Sequence, residues 1–255
     1  MAARFAARWD PRRDYGFGAS GILRKIRDGV PWRVAAGAAF GGEGSCGNGA
    51  AMRVAPLGAY YAGDPEKIVS EAVRSAQVTH AHPEGVAGAV AVAVASGQAA
   101  HARMIGTAHA PEEFITGIID RLGDGEVGRG LRRARTLLGA SVDEAARIRG
   151  NGSRVTAQDA VPFTLWMAST HLTNYPAAIA TCLVADGDID TTCAIVGGIV
   201  AAHNGRGSVF GRIGVPEAWI EMREPLPRWT SGVLEQRRRR SRSGFECIRK
   251  WFADN

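Results

Sequence analysis

The sequence predicts an all-α fold, and three observations carry that expectation. Among its 255 residues are 33 glycines and many alanines, against an aromatic content of only 7%. Such a composition suits helices packed closely through small side chains better than a β-sandwich filled with rings. Proline followed by an acid recurs at Pro65-Glu66, Pro83-Glu84, Pro111-Glu112 and Pro216-Glu217, where a first helical turn favours both residue types. Apolar residues then return at three- and four-residue spacing, the period of a helix with one buried face.

Taken in order, Met1 to Arg13 reads as a helix and linker, and Phe40 to Gly49 as a glycine-rich loop. Behind Asp64, the residues Ile68, Ala72, Val73 and Ala76 form one apolar stripe with Lys67, Glu71 and Arg74 between them. From Val86 to Val94, valines alternate with alanine or glycine, which a strand could also satisfy. Helix is preferred, because alanine is the best helix former and Pro83-Glu84 supplies a start; apolar character on every side marks a central, buried helix. Phe114, Ile115, Ile118, Ile119 and Leu122 repeat the amphipathic pattern. Gly123 to Gly130 and Gly150 to Ser153 read as further glycine loops. From Ser231 the chain turns arginine-rich and loses its period, apart from a possible helical turn at Phe245 to Phe252. The expected organisation is one helical domain over residues 1–230 and a disordered basic tail over 231–255.

Charge and cysteine usage narrow the function classes. The net charge is +6, yet Arg237 to Arg240 with Arg242 supply five of those positive charges, so the body of the chain shows no nucleic-acid footprint. Four cysteines, Cys46, Cys182, Cys193 and Cys247, lie without metal-ligand spacing or disulfide-scaffold density. This favours a reducing, cytoplasmic setting. No apolar run of signal-peptide length follows the N-terminus. The longest apolar stretch, Val86 to Ser96, is shorter than the roughly 20 residues of a membrane span, so a soluble protein is expected.

Three segments could carry chemistry. In Asp186-Gly187-Asp188-Ile189-Asp190-Thr191, two carboxylates and a hydroxyl, Asp188, Asp190 and Thr191, precede an apolar helix. Hard oxygens of this kind suit Mg²⁺, which takes a few carboxylates and completes its shell with water and substrate oxygens. Aspartate is equally a common helix N-cap, worth about 1 kcal/mol with no metal involved. Phe40-Gly41-Gly42-Glu43-Gly44-Ser45-Cys46-Gly47-Asn48-Gly49 runs into an apparent helix start, where backbone N–H groups and a helix N-terminus would favour a phosphate. An ordinary flexible loop is the plain alternative. Thr79-His80-Ala81-His82-Pro83-Glu84 offers two histidines and a glutamate, but not the spacing of a zinc helix; helix-end roles are the simpler reading.

These segments, in this order, resemble the ADP-ribosylglycohydrolase family. The resemblance rests on Gly-Asn-Gly-Ala-Ala-Met-Arg at 47–53, Thr-His at 79–80, the segment from Ala157 to Phe163, and Gly-Asp-Ile-Asp-Thr at 187–191. The family's last motif reads Gly-Asp-Thr-Asp-Thr, so Ile189 departs at a position that is not a ligand. What the resemblance implies is a compact multi-helix domain holding two Mg²⁺ ions, in which water cleaves an ADP-ribosyl glycosidic bond. Asp188, Asp190 and Thr191 would form the C-terminal half of the metal site. Gly44, Ser45, Gly47 and Asn48 would cradle the pyrophosphate, with Phe40 near the adenine and His80 near the ribose or a metal-bound water. Cys46 stands where several relatives have an aromatic residue. The family's Gly-Asp start motif, with its glutamate, and its Thr-Asp-Asp-Thr motif have no counterpart in the chain, so an N-terminally incomplete domain with half of the ligand set is expected. No general acid is assigned, and Glu43 is expected to face solvent. The implied substrate is an ADP-ribosylated protein or small ADP-ribosyl molecule; neither a membrane nor a nucleic acid is expected as a partner. Catalytically inactive ADP-ribose binding on the same fold is the alternative.

Overall fold

The computed structural model describes residues 1–209 and 211–227. The end of the expected helical domain near 230 and the basic tail lie outside these residues. Among them, helices dominate, and the only paired strands are the two-residue β1 (Ser208–Val209) and β2 (Arg212–Ile213). One compact unit runs from Met1 to Pro216.

Its helices are α1 (Ala2–Ala7), α2 (Phe17–Arg27), α3 (Trp32–Gly37), α4 (Gly49–Met52), α5 (Ala55–Tyr60), α6 (Pro65–Ala76) and α7 (Pro83–Ile105). After these come α8 (Pro111–Ile119), α9 (Glu126–Arg135), α10 (Val142–Arg149), α11 (Ala157–Thr170), α12 (Tyr175–Val184) and α13 (Ile189–Asn204). A separate unit starts with α14 (Glu217–Met222), which begins at the fourth proline–acid pair.

The other three proline–acid starts also fall at helix N-termini. Asp64 caps α6 by accepting the Lys67 N–H at 3.0 Å. The Glu113 carboxylate folds back to accept the Ala110 N–H at 3.3 Å, closing the first turn of α8. Each contact satisfies a donor that the helix itself leaves open.

Helix α7 is the axis of the domain, and α4, α5, α6, α11 and α13 pack around it. The ambiguous alternation at 86–94 is therefore helical. Every residue from Gly88 to Gly97 is buried, which removes the polar face that would otherwise show a helical period. At 23 residues α7 is long and apolar enough to cross a membrane, but 78% of the qualifying window is buried inside the protein, as in a core helix. It extends beyond the apolar stretch at 86–96 because Gln98, His101 and Arg103 continue the helix after the uninterrupted apolar run ends.

Small residues set how closely the helices approach. A Cβ on Gly58 of α5 would fall 2.0 Å from the Ala93 carbonyl oxygen of α7, so the two backbones touch there. Ser96 strengthens the same crossing by donating to the Ala55 carbonyl at 2.8 Å. The loop expected over 123–130 is shorter than the glycines imply, since α9 already begins at Glu126. Gly130 serves packing instead: a Cβ there would stand 2.6 Å from Pro162 Cγ on α11.

The main core joins α4 to α13, with Phe114, Phe163, Leu165, Trp166 and Ile195 fully enclosed. The N-terminal helices carry smaller cores of their own. Ala2 and Leu23 gather with Phe5, Trp9, Ile26 and Trp32 on Val78, just ahead of Thr79 and His80. Cys46, Cys182 and Cys193 are free thiols.

Candidate active site

Four segments far apart in sequence converge around Asn48 and Asp188. The turn at 44–49 is built rather than loose. Gly44 adopts φ +76°, and a Cβ there would meet the His82 nitrogen at 2.7 Å and Ala81 Cβ at 2.8 Å. Glycine is required on both counts. Ser45 and Asn48 are buried, and Ser45 Oγ accepts the Gly47 N–H at 3.2 Å. The strand-like segment before α11 clamps the turn from the other side, with Asn48 N–H donating to the Val155 carbonyl at 3.1 Å and Ala157 N–H to the Cys46 carbonyl at 2.9 Å. An ordinary flexible loop would lack this reciprocal pairing.

The apparent helix start after this turn is the single turn of α4, Gly49–Met52, so little macrodipole accumulates. An anion at this turn would therefore meet local polar groups rather than a helix dipole.

Asp188 does not behave as an ordinary capping aspartate. It occupies the N-cap of α13, but its side chain makes no capping hydrogen bond. Instead Asp188 Oδ2 accepts from Asn48 Nδ2 at 2.8 Å, which ties the oxygen trio to the glycine turn. The approach to α13 is shaped by Asp186 at φ 57° and Gly187 at φ 78°. Asn151 supports this bend, its Nδ2 donating to the Ala185 carbonyl at 3.1 Å and its own carbonyl accepting the Asp188 N–H at 3.4 Å. Hydrogen bonds accepted from the Asp188 carboxyl, first, and from the Thr191 N–H hold Asp190 below the usual carboxylate range. Thr191 is buried, and its hydroxyl donates only to the weak acceptor Met52 Sδ at 3.5 Å, leaving oxygen lone pairs for another partner.

Two adjoining carboxylates repel when both are ionised, and a divalent cation relieves that repulsion. With the Thr191 hydroxyl they make an all-oxygen donor set, which fits part of a Mg²⁺ shell completed by water or substrate oxygens. Among the described residues, no group of three or more His, Cys, Asp and Glu side chains is placed to hold a metal ion.

His80 reaches the turn from the end of α6. A Cβ on Gly47 would stand 3.4 Å from its Nε2, and one on Gly49 3.3 Å, so the ring edge lies on this backbone. Burial first, and the charge of Arg53 second, push its pKa down to about 3. The ring is therefore neutral at physiological pH. His82 and Glu84 have other work. His82 Nδ1 accepts the Glu84 N–H at 3.1 Å, while the Glu84 carboxylate accepts the Glu126 and Val127 N–H groups at 2.7 and 2.8 Å and caps α9.

Phe40 sits on a short 3-10 turn (Phe40–Gly42) with φ 52°, and its side chain is largely exposed beside Gly18 of α2. Cys46 is half-buried, and Glu43 is exposed as expected. Sequence reasoning missed Arg53, Asn151 and Asp159. Asp159 is buried and accepts the Arg154 N–H at 3.0 Å, holding the 150–154 loop. The signal for Asp159 and Arg53 was present in the family-like segments, but their roles depend on tertiary partners. That loop also lines a cavity of about 380 Å³ with Arg147, Arg149 and Asp159.

A model of the ADP-ribosylglycohydrolase family matches residues 1–243. The chain is similar to ADP-ribosylhydrolase ARH3 of Xenopus tropicalis, 27% identical over 238 residues, covering 80% of this chain and 66% of the relative. The human ARH3 is 28% identical over 254 residues, covering 86% and 66%. An uncharacterized protein of Archaeoglobus fulgidus is 29% identical over 175 residues, covering 68% and 52%. The chain thus spans about two-thirds the length of the vertebrate relatives. With nearly its whole length matched and its motifs gathered at one site, the chain belongs to the ADP-ribosylglycohydrolase family.

Proposed function

We propose that this chain binds ADP-ribose at the 44–49 turn and contributes to Mg²⁺-dependent hydrolysis of an ADP-ribosyl glycosidic bond. The Asn48–Asp188 hydrogen bond carries the reading, because it joins an anion-receptive turn to an oxygen-rich cation site within one side-chain contact. An ADP-ribosyl group needs both: a seat for its pyrophosphate and an anchor for its ribose hydroxyls.

In this reading Ser45 and the backbone of the turn hold the pyrophosphate, Phe40 offers an exposed ring to the adenine, and His80 presents a neutral imidazole towards the ribose. Asn48 fixes the Asp188 carboxylate, and Asp188, Asp190 and Thr191 would hold Mg²⁺. Bound there, the metal would supply charge to orient the ribose hydroxyls and polarise a water. The bond broken is the one between the anomeric carbon and the nitrogen or oxygen of a protein or small-molecule target, with water taking its place and the leaving atom regaining a proton.

A second reading is ADP-ribose binding without turnover. It is favoured by the donor count, since Asp188, Asp190 and Thr191 alone underfill a magnesium shell. Calorimetry with ADP-ribose, with and without Mg²⁺, combined with an assay for release of ADP-ribose from arginine- and serine-modified peptides, separates the two. Turnover supports hydrolysis and excludes the second reading. Binding without turnover supports the second reading, and no binding under any condition overturns both.

A further inference from the structure

Behind His80 lies an arginine, Arg53, whose residue as a whole is only partly exposed and whose head group is turned inward. The Arg53 guanidinium is buried, stacks 5.3 Å from the Phe5 ring centre, and keeps its proton at neutral pH although burial lowers its pKa to about 10. Its recorded hydrogen-bond partners are the Gly49 carbonyl at 3.1 Å, the Ser75 carbonyl at 3.1 Å and Thr79 Oγ1 at 2.9 Å. One cation thus grips both the glycine turn and the residue next to His80. Thr79 Oγ1 in turn lies 2.7 Å from His80 Nδ1.

We propose that Arg53 and Thr79 are positioning residues that fix the proton of a neutral His80 on Nε2, so that the ring offers an N–H donor at the Gly47–Gly49 turn. The direction of the hydrogen bonds forces this assignment. Guanidinium groups only donate, so Thr79 Oγ1 accepts from Arg53. Were Nδ1 protonated, Thr79 would accept twice, and its own hydroxyl hydrogen, on a side chain only 2% exposed, would need a further acceptor. With Thr79 donating to a bare Nδ1, both the Thr79 hydroxyl and Nδ1 are satisfied and the imidazole proton has one place left, Nε2. The Nε2 edge is the one that lies against Gly47 and Gly49. The charge of Arg53 further disfavours an imidazolium so close by. A phosphate or ribose oxygen seated on the turn would then meet a fixed donor rather than one that must change tautomer on binding. That last step rests on the ADP-ribose reading; the tautomer itself does not.

The test is long-range ¹H–¹⁵N correlation on the full chain labelled with ¹⁵N-histidine, the His80 signals being assigned from their loss in His80→Gln. The wild type should show an unprotonated Nδ1 and a protonated Nε2 from pH 8 to pH 5. Thr79→Val should release the ring into mixed tautomers, and Thr79→Ser should restore the single form. A protonated Nδ1 in the wild type, or a tautomer unmoved by Thr79→Val in a folded variant, overturns the proposal. ADP-ribose affinity, measured on the same samples, should fall about five- to tenfold in Thr79→Val and recover in Thr79→Ser. If the wild type shows the Nε2–H form yet does not bind ADP-ribose, the tautomer assignment holds and the ADP-ribose reading fails.

Discussion

The side-chain amide of Asn48 donates to the carboxylate of Asp188 at 2.8 Å, joining positions 140 residues apart in the chain. The bond is partly buried and charge-assisted, so its loss costs more than that of a neutral pair, about 1.5–3 kcal/mol. Asn48→Ala should weaken ADP-ribose binding at least tenfold. Asn48→Asp, nearly the same shape, should be worse, because it replaces the donor with a charge that repels Asp188. Calorimetry on both variants checks the order; equal affinities for Asn48→Asp and wild type would refute it.

Mg²⁺ should raise the melting temperature. A cation that binds only the folded chain at a hundredfold excess over its dissociation constant adds about 2.7 kcal/mol. In Asp190→Asn this increment should largely vanish, while a matched ionic strength of sodium chloride leaves both proteins alike. Differential scanning calorimetry gives the answer, and an undiminished Mg²⁺ shift in the variant would remove Asp190 from the site.

Stability should fall on acidification through the range set by His80. Its folded pKa of about 3 lies below the ordinary 6.5, so below pH 6.5 the unfolded chain binds a proton that the folded chain refuses. Stability is thus complete above about 6.5 and declines as pH drops towards 3, by up to roughly 1.4 kcal/mol per unit. Between pH 7 and pH 5 this amounts to about 2 kcal/mol, or a melting temperature lower by roughly 4–8 °C. His80→Gln should flatten that dependence. His171 and His203, also lowered by burial, act in the same direction and should leave a residual slope.

Gly58→Ala sets two effects against each other. Helix propensity alone favours alanine by about 1 kcal/mol. The new methyl would press on the Ala93 carbonyl at 2.0 Å, and backbone cannot rotate away as a side chain does. Overpacking of this kind costs about 1–3 kcal/mol or more, so net destabilisation is expected in urea melts. A more stable variant would mean that α5 and α7 part more readily than their contact implies.

Much of this architecture was legible beforehand because proline, acid and apolar period act locally. All four proline–acid pairs mark helix starts, and the stripe of Ile68 and Ala72 is buried as its spacing implied. What failed was the reading of glycine. Around 44 it does bend the chain through positive φ, but at Gly130 it lies inside a helix because Pro162 lies opposite, and no local pattern reveals an opposing proline. The site shows the same division. Asp188 and Asn48 could be nominated singly from their motifs, whereas the bond between them, the Arg53 grip on Thr79 and the Asp159 support of the 150–154 loop exist only once distant segments meet.

The central helix α7 has a consequence for how such a scaffold diversifies. From Gly88 to Gly97 it presents only glycine, alanine, valine and serine to the helices around it. Enlarging any of these would demand simultaneous retreat by several partners, so mutational drift along the axis is heavily constrained. Exposed connections such as 106–108 answer to fewer neighbours and can be exchanged piecemeal. Variation should therefore collect in such connections while the frame beneath them is kept.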